Sequence, residues 1–175
     1  RNAHAVGFGG VTDFGRSDPG YNTVIPKSAA SIGQILKANG YDTAWFGKNH
    51  LVPTWQNGPL GPFDQWASGL GFDYFYGFLG GLSDQFHPIL VENNTAIEPP
   101  ERPDYILDRD LADRAIQWLR AQKAHGGERP FLIHYAPGTA HGPLHAPADL
   151  IARFHSKFDA GWDALRSEIF ARQKR

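Results

Sequence analysis

The sequence predicts an α/β fold, a parallel or mixed sheet flanked by helices. Two observations carry this. Ser28 to Asn39 places Ile32, Ile35 and Leu36 at helical spacing, with Ser28 able to cap the start and Gly40 able to end it in a left-handed turn. The run Trp45-Phe46-Gly47-Lys48-Asn49-His50 follows as a short buried strand that stops at a lysine and a histidine. The same order then recurs: a helix from about Asp108 to Ala124, with Leu111, Ala115, Trp118 and Leu119 on one face and Gly126-Gly127 beyond its end, precedes the apolar strand Pro130 to Ala136. Helix, strand and polar loop thus occur twice. If both strands join one parallel sheet, Lys48, His50 and His141 emerge along one edge, where open α/β sheets collect their ligands.

The remaining segments are less periodic. Residues 1–24 hold five glycines among few periodic apolar positions and read as a loop lying over something else. Residues 51–103 are rich in Gly, Pro and aromatics, and no period of a strand or helix persists through them. That many aromatics argues against disorder, so this stretch reads as an ordered excursion that either walls a pocket or simply packs onto the core. Asn93-Asn94-Thr95 would be a glycosylation acceptor only at Asn93, and only in a protein secreted from a eukaryote.

Composition narrows the function classes. The 175 residues, 41% hydrophobic and 13% aromatic, suffice for a packed core. With 17 basic and 18 acidic residues, a formal charge of −1 and no basic block, neither nucleic acid nor an anionic membrane surface is indicated as a partner. No apolar run approaches the roughly 20 residues that span a bilayer. Cysteine is absent, which excludes disulfides, thiolate metal sites and a cysteine nucleophile within these residues without revealing a compartment. Methionine is absent too, and the chain opens on Arg1-Asn2 with no signal peptide. An internal piece of a longer protein is therefore expected. At the other end Trp162, Leu165, Ile169 and Phe170 form a helical stripe that runs into Lys174-Arg175 without a stop signal, as a cut would leave it.

Lys48, His50 and His141 are the candidate chemical groups. An ammonium with three donors and two imidazoles that move protons near neutral pH suit an oxyanion of sulfur or phosphorus. Taken singly, each also has a plain structural explanation as a solvated lysine or a packed histidine. Rival motifs fail on spacing. Gly47-Lys48 resembles the end of a phosphate-binding P-loop, but Asp42 stands in place of its first glycine and Asn49 in place of its Ser or Thr. His141 and His145 are four apart, yet Pro143 and Pro147 break any helix between them and Gly142 replaces a zinc protease's glutamate. Gly7-Phe8-Gly9-Gly10 lacks the flanking strand and helix of a phosphate loop, and Gly15 to Pro19 lacks the strand and last glycine of a nucleophile elbow. His134, inside an apolar strand, reads as a buried, hydrogen-bonded histidine, and Asp84 with His87 is too short a signal to assign.

Taken together, Gly47-Lys48-Asn49-His50 and Ala136-Pro137-Gly138-Thr139-Ala140-His141-Gly142-Pro143-Leu144-His145-Ala146-Pro147 resemble the two middle motifs of the type I sulfatases, bacterial arylsulfatases in particular. Arg1 to Gly7 is similar to the segment just after that family's nucleophile motif, and Gly40 to Thr43 and Phe154 to Gln173 follow its text in order. The resemblance implies an alkaline-phosphatase-like α/β sandwich that hydrolyses small-molecule sulfate esters. It implies a formylglycine nucleophile, made from an upstream cysteine or serine, beside a divalent metal such as calcium. By resemblance Lys48 bridges sulfate and nucleophile, His50 bonds the formylglycine hydroxyls and helps eliminate sulfate, and His141 binds sulfate or protonates the leaving alcohol. It leaves the compartment unassigned, a periplasmic or secreted setting being compatible with it. Asn49 departs from the tryptophan often found there. The nucleophile, the metal ligands and a later Asp-Asn pair fall outside residues 1–175, so the remainder of the chain is an expected partner and the piece alone is expected to be inactive. Two alternatives stay open: a phosphoesterase or phosphonate hydrolase of the same superfamily, and a non-catalytic binding or structural unit. No histidine here has aspartate four positions before it, as the superfamily's zinc phosphatases commonly do.

Overall fold

The computed structural model describes residues 2–175, which divide into two compact units, residues 2–144 and 145–175. In the first, α1 (Ile32–Ala38) leads into β1 (Asp42–Lys48), followed by β2 (Tyr74–Phe78), β3 (Leu90–Glu92), β4 (Thr95–Ile97), α2 (Leu107–His125) and β5 (Phe131–Ala136). The strands make a mixed sheet in the order β4-β3-β2-β1-β5, with β1 central and parallel to both β2 and β5 and the β3-β4 hairpin antiparallel at the far side. The second unit contains α3 (Ala148–Phe154) and α4 (Gly161–Gln173). The apolar stripe at the chain's end lies on α4, with Trp162, Ile169 and Phe170 exposed. Among the described residues no helix is long and apolar enough to cross a membrane.

Each sheet face has its own core because successive residues of a strand point to opposite sides. On one face Ala44, Phe46, Tyr76, Phe78 and Leu90 pack under α2 through Leu107 and Leu111. On the other, Trp45, Phe75 and Val91 pack with Val52, Trp66, Leu70 and Phe72 of the aromatic excursion. A buried carboxylate joins α2 to β2: Asp110 accepts hydrogen bonds from the hydroxyls of Tyr76 (2.5 Å) and Tyr105 (3.1 Å). Burial and this carboxylate raise the pKa of both tyrosines, so they remain neutral donors.

Several local expectations are corrected. The first helix starts later than Ser28, because Ser31 and Gln34 form a reciprocal capping box: Ser31 Oγ accepts from the Gln34 N–H and Gln34 Oε1 from the Ser31 N–H. Gly40 does follow it at φ +83°. The buried position on this helix is Gly33, not its isoleucines. A Cβ there would come within 2.8 Å of the Leu70 carbonyl oxygen and the Phe72 ring, whereas Ile32 and Ile35 are exposed. The excursion contains three strands. Tyr74–Phe78 showed no alternation because both of its faces are covered, and a doubly buried strand is apolar throughout. Asn93-Asn94 is the turn of the β3-β4 hairpin, Asn93 at φ +55°. Its side-chain oxygen accepts from the Phe75 N–H, and Ser68 Oγ donates to that of Asn94. The strand Phe131–Ala136 forms as expected but at the sheet edge, and His134 on it is exposed rather than buried. Its ring packs edge-on against Trp45 at 4.6 Å, and that partial desolvation lowers its pKa.

Removing Leu111 from beneath the sheet tests this packing. Leu111→Ala should cost about 2–5 kcal/mol in urea unfolding, while Ile116→Ala, on the exposed side of α2, should change stability by less than about 0.5 kcal/mol. Equal effects would contradict the assigned faces.

Candidate active site

Lys48 is the last residue of β1, and the backbone pairing of β1 with β2 continues past it. The N–H of Asn49 donates to the Phe78 carbonyl at 2.9 Å and that of His50 to the Leu79 carbonyl at 3.0 Å. The Trp45 indole N–H donates to the Lys48 carbonyl at 3.0 Å, anchoring the strand end in the core. His50 sits at φ +53°, a left-handed backbone that turns the chain and swings its ring away from the strand. Asn49 is buried, its Oδ1 accepting from the Leu51 N–H at 2.9 Å. Its amide nitrogen is buried with no hydrogen-bond partner.

Sequence reasoning missed Asp13. Its Oδ2 lies 2.7 Å from His50 Nε2, which brings the glycine-rich opening segment onto the end of β1. The expectation that this segment lies over something is met here, and what it covers is the candidate site. A lone acid in an aperiodic stretch carries no pattern, so no sequence signal pointed to it. The hydrogen bond from His50 holds the Asp13 carboxyl below the ordinary carboxylate range, against the opposing effect of burial, and the charges of His50 and Lys48 act in the same direction as the bond.

His141 lies in the loop after β5. Because Gly47 pairs with Ala136 in parallel register, that loop leaves the sheet beside Lys48, at the same edge. The approach is close: a Cβ on Gly47, which has φ +102°, would stand 2.0 Å from the Ala136 carbonyl oxygen. The loop is also tied to the start of α2 and to the excursion. Asp108 accepts from the Gly138 N–H (3.3 Å), from Gln85 Nε2 (3.2 Å) and from the Thr139 hydroxyl. The structure therefore brings Lys48, His50 and Asp13 together and places the His141 loop at the same edge. The His141 ring itself is exposed, with Nδ1 3.0 Å from the Gly142 carbonyl oxygen, and makes no hydrogen bond to Lys48 or His50.

Asp84 is a turn former: its Oδ1 accepts from the N–H groups of Phe86 and His87. The divalent metal implied by resemblance is expected to draw its ligands from outside residues 1–175. Among the described residues no three His, Asp or Glu side chains converge to hold an ion, and the carboxylate at the site is engaged by His50.

The sulfatase family model matches residues 1–174. The chain belongs to the sulfatase family. It is 24% identical to an arylsulfatase of Klebsiella aerogenes, over 97% of this chain and 37% of that protein. It is likewise 24% identical to an uncharacterised sulfatase of Schizosaccharomyces pombe, over 98% of this chain and 33% of that one. The sulfatase chain thus spans about a third of the length of the curated relatives it matches. Its fold is similar to the crystal structure of Ps i-CgsB, with a TM-score of 0.67 at 24% identity over 89% of this chain and 35% of that one. A lesser likeness, TM-score 0.51 at 20% identity over 74% of this chain and 24% of that one, is to BT4656 in complex with D-glucosamine-2-N,6-O-disulfate. The fold is accordingly part of the alkaline-phosphatase-like sandwich of the sulfatases.

The Asp13–His50 pair makes a prediction with a definite sign. A carboxylate depressed in the folded state contributes stability that is present above its unfolded pKa and is lost as pH falls through the depressed value. Asp13 is half exposed, so that contribution is small. Carboxyl-carbon NMR should place its titration midpoint below the ordinary carboxylate range and return it towards that range in His50→Ala. An unchanged midpoint in the variant would contradict the pairing.

Proposed function

We propose that this chain supplies anion-binding and proton-transferring groups to an arylsulfatase-like sulfuric ester hydrolase, acting with the rest of its protein on a small-molecule sulfate ester. The observation that supports this most is the grouping of Lys48 and His50 at the carboxyl end of the central strand, next to the loop that bears His141. An ester sulfate is a tetrahedral anion whose oxygens require donors, more strongly as charge develops on cleavage. Lys48 would bind a sulfate oxygen through its ammonium. His50 would hold and move a proton beside it, and His141 would bind a second sulfate oxygen or deliver a proton to the departing alcohol.

The formylglycine and divalent ion expected of the family would come from residues outside 1–175, and when bound they would supply the nucleophile and neutralise sulfate charge. Family membership supports sulfate over phosphate. The arylsulfatase relative favours an aryl ester, and the disulfated glucosamine bound to BT4656 makes a sulfated sugar the natural second substrate to try.

In the full-length protein, Lys48→Ala and His141→Ala should each lower turnover of an aryl sulfate by about 100-fold or more, the usual cost of removing one transition-state donor. The matching aryl phosphate should be a poor substrate. Unchanged sulfate turnover in both variants, or turnover of phosphate alone, would overturn the reading.

A further inference from the structure

Three contacts hold His50, one at its backbone and two at its ring. Its backbone N–H is fixed to the Leu79 carbonyl. Gly81 lies against the ring so closely that a Cβ there would come within 2.7 Å of Cε1 and Nε2. The third is Asp13, itself set in a short 3-10 turn, Thr12–Phe14, whose first residue is buried and whose ends are closed by the Phe14 N–H to Val11 and the Gly15 N–H to Thr12. Gly15 is seated against Thr23, since a Cβ on it would lie 2.8 Å from the Thr23 hydroxyl oxygen. The carboxylate is therefore presented to Nε2 by a folded turn and not by a free tail.

We propose that Asp13 is a positioning residue that fixes His50 in the tautomer with its hydrogen on Nε2 and leaves Nδ1 as the nitrogen that exchanges a proton with the reacting groups. The chemistry follows from donor counting. An ionised carboxylate can only accept, so the hydrogen in the 2.7 Å contact belongs to Nε2, and the neutral ring then carries its lone pair on Nδ1. When a reacting O–H bond breaks and its proton forms an N–H bond at Nδ1, the ring becomes a cation facing the Asp13 anion. The reverse step returns the same proton and restores the neutral ring. Asp13 stays ionised throughout, in keeping with its lowered pKa. The identity of the group that gives and takes the proton rests on the sulfatase reading above, whereas the tautomer does not.

The test separates the two. In the full-length protein, nitrogen-resolved NMR of the His50 ring, assigned by its loss in His50→Gln, should show the Nε2–H tautomer. Asp13→Ala should give a mixture of tautomers and Asp13→Glu should restore the single form. Because the Asp13 side chain is half exposed, Asp13→Ala should keep the parent's melting temperature. With nitrophenyl sulfate, Asp13→Ala should lower kcat by about 10-fold or more, because the carboxylate that orients the imidazole and stabilises its cation is gone, with KM unchanged and kcat partly recovered in Asp13→Glu. An Nδ1–H tautomer in the parent, or the same tautomer and kcat in Asp13→Ala, overturns the proposal. A tautomer that responds to Asp13 in a protein that turns over no sulfate ester upholds the positioning role and overturns the sulfatase reading.

Discussion

The parallel pairing of β1 with β5 decides where chemistry can occur in this molecule. Gly47 opposite Ala136 brings the two backbones closer than any side chain at position 47 would permit, and both strands run out at the same edge. Lys48 and His50 continue from one strand, and Pro137 to Gly142 from the other. The buried layers on either side, α2 on one face and the aromatic excursion on the other, hold β1 between them. Strand-end groups in this arrangement inherit the rigidity of the core.

Side chains at that edge are then fixed by elements distant in sequence. Asp13 and Gly81 confine the His50 ring, while Asp108 and Gln85 tether the loop after β5 through Thr139 and the Gly138 N–H. An acid from the opening segment and another from the first turn of α2 thus serve the two histidine-bearing loops in parallel ways. Neither has a catalytic geometry of its own. Both act by limiting where a neighbour can point.

How much of this was legible in the sequence follows from which signals survive burial. β1, α2 and β5 were readable because a short apolar run or a helical stripe ends at clear punctuation. Their parallel pairing followed from the repeated order of elements, and the edge carrying Lys48, His50 and His141 followed from that pairing. The family motifs were readable as well. β2 was lost because a strand covered on both faces shows no alternation, although its aromatic run and the Asn-Asn turn between two short apolar runs together marked a sheet. α1 misled through its isoleucines, since its contact is made by a glycine. Asp13 was illegible, because its partner is chosen by the path of the opening segment over the sheet edge and not by any local pattern.

The account stands on Lys48, His50 and His141 meeting one tetrahedral anion. Titrating inorganic sulfate into the full-length protein while following the Lys48 ammonium and both imidazoles by NMR tests this directly, with His125 at the far end of α2 as reference. The account predicts that the three groups respond with a single dissociation constant while His125 is unmoved. A response from only one of the three, or from none, would contradict it.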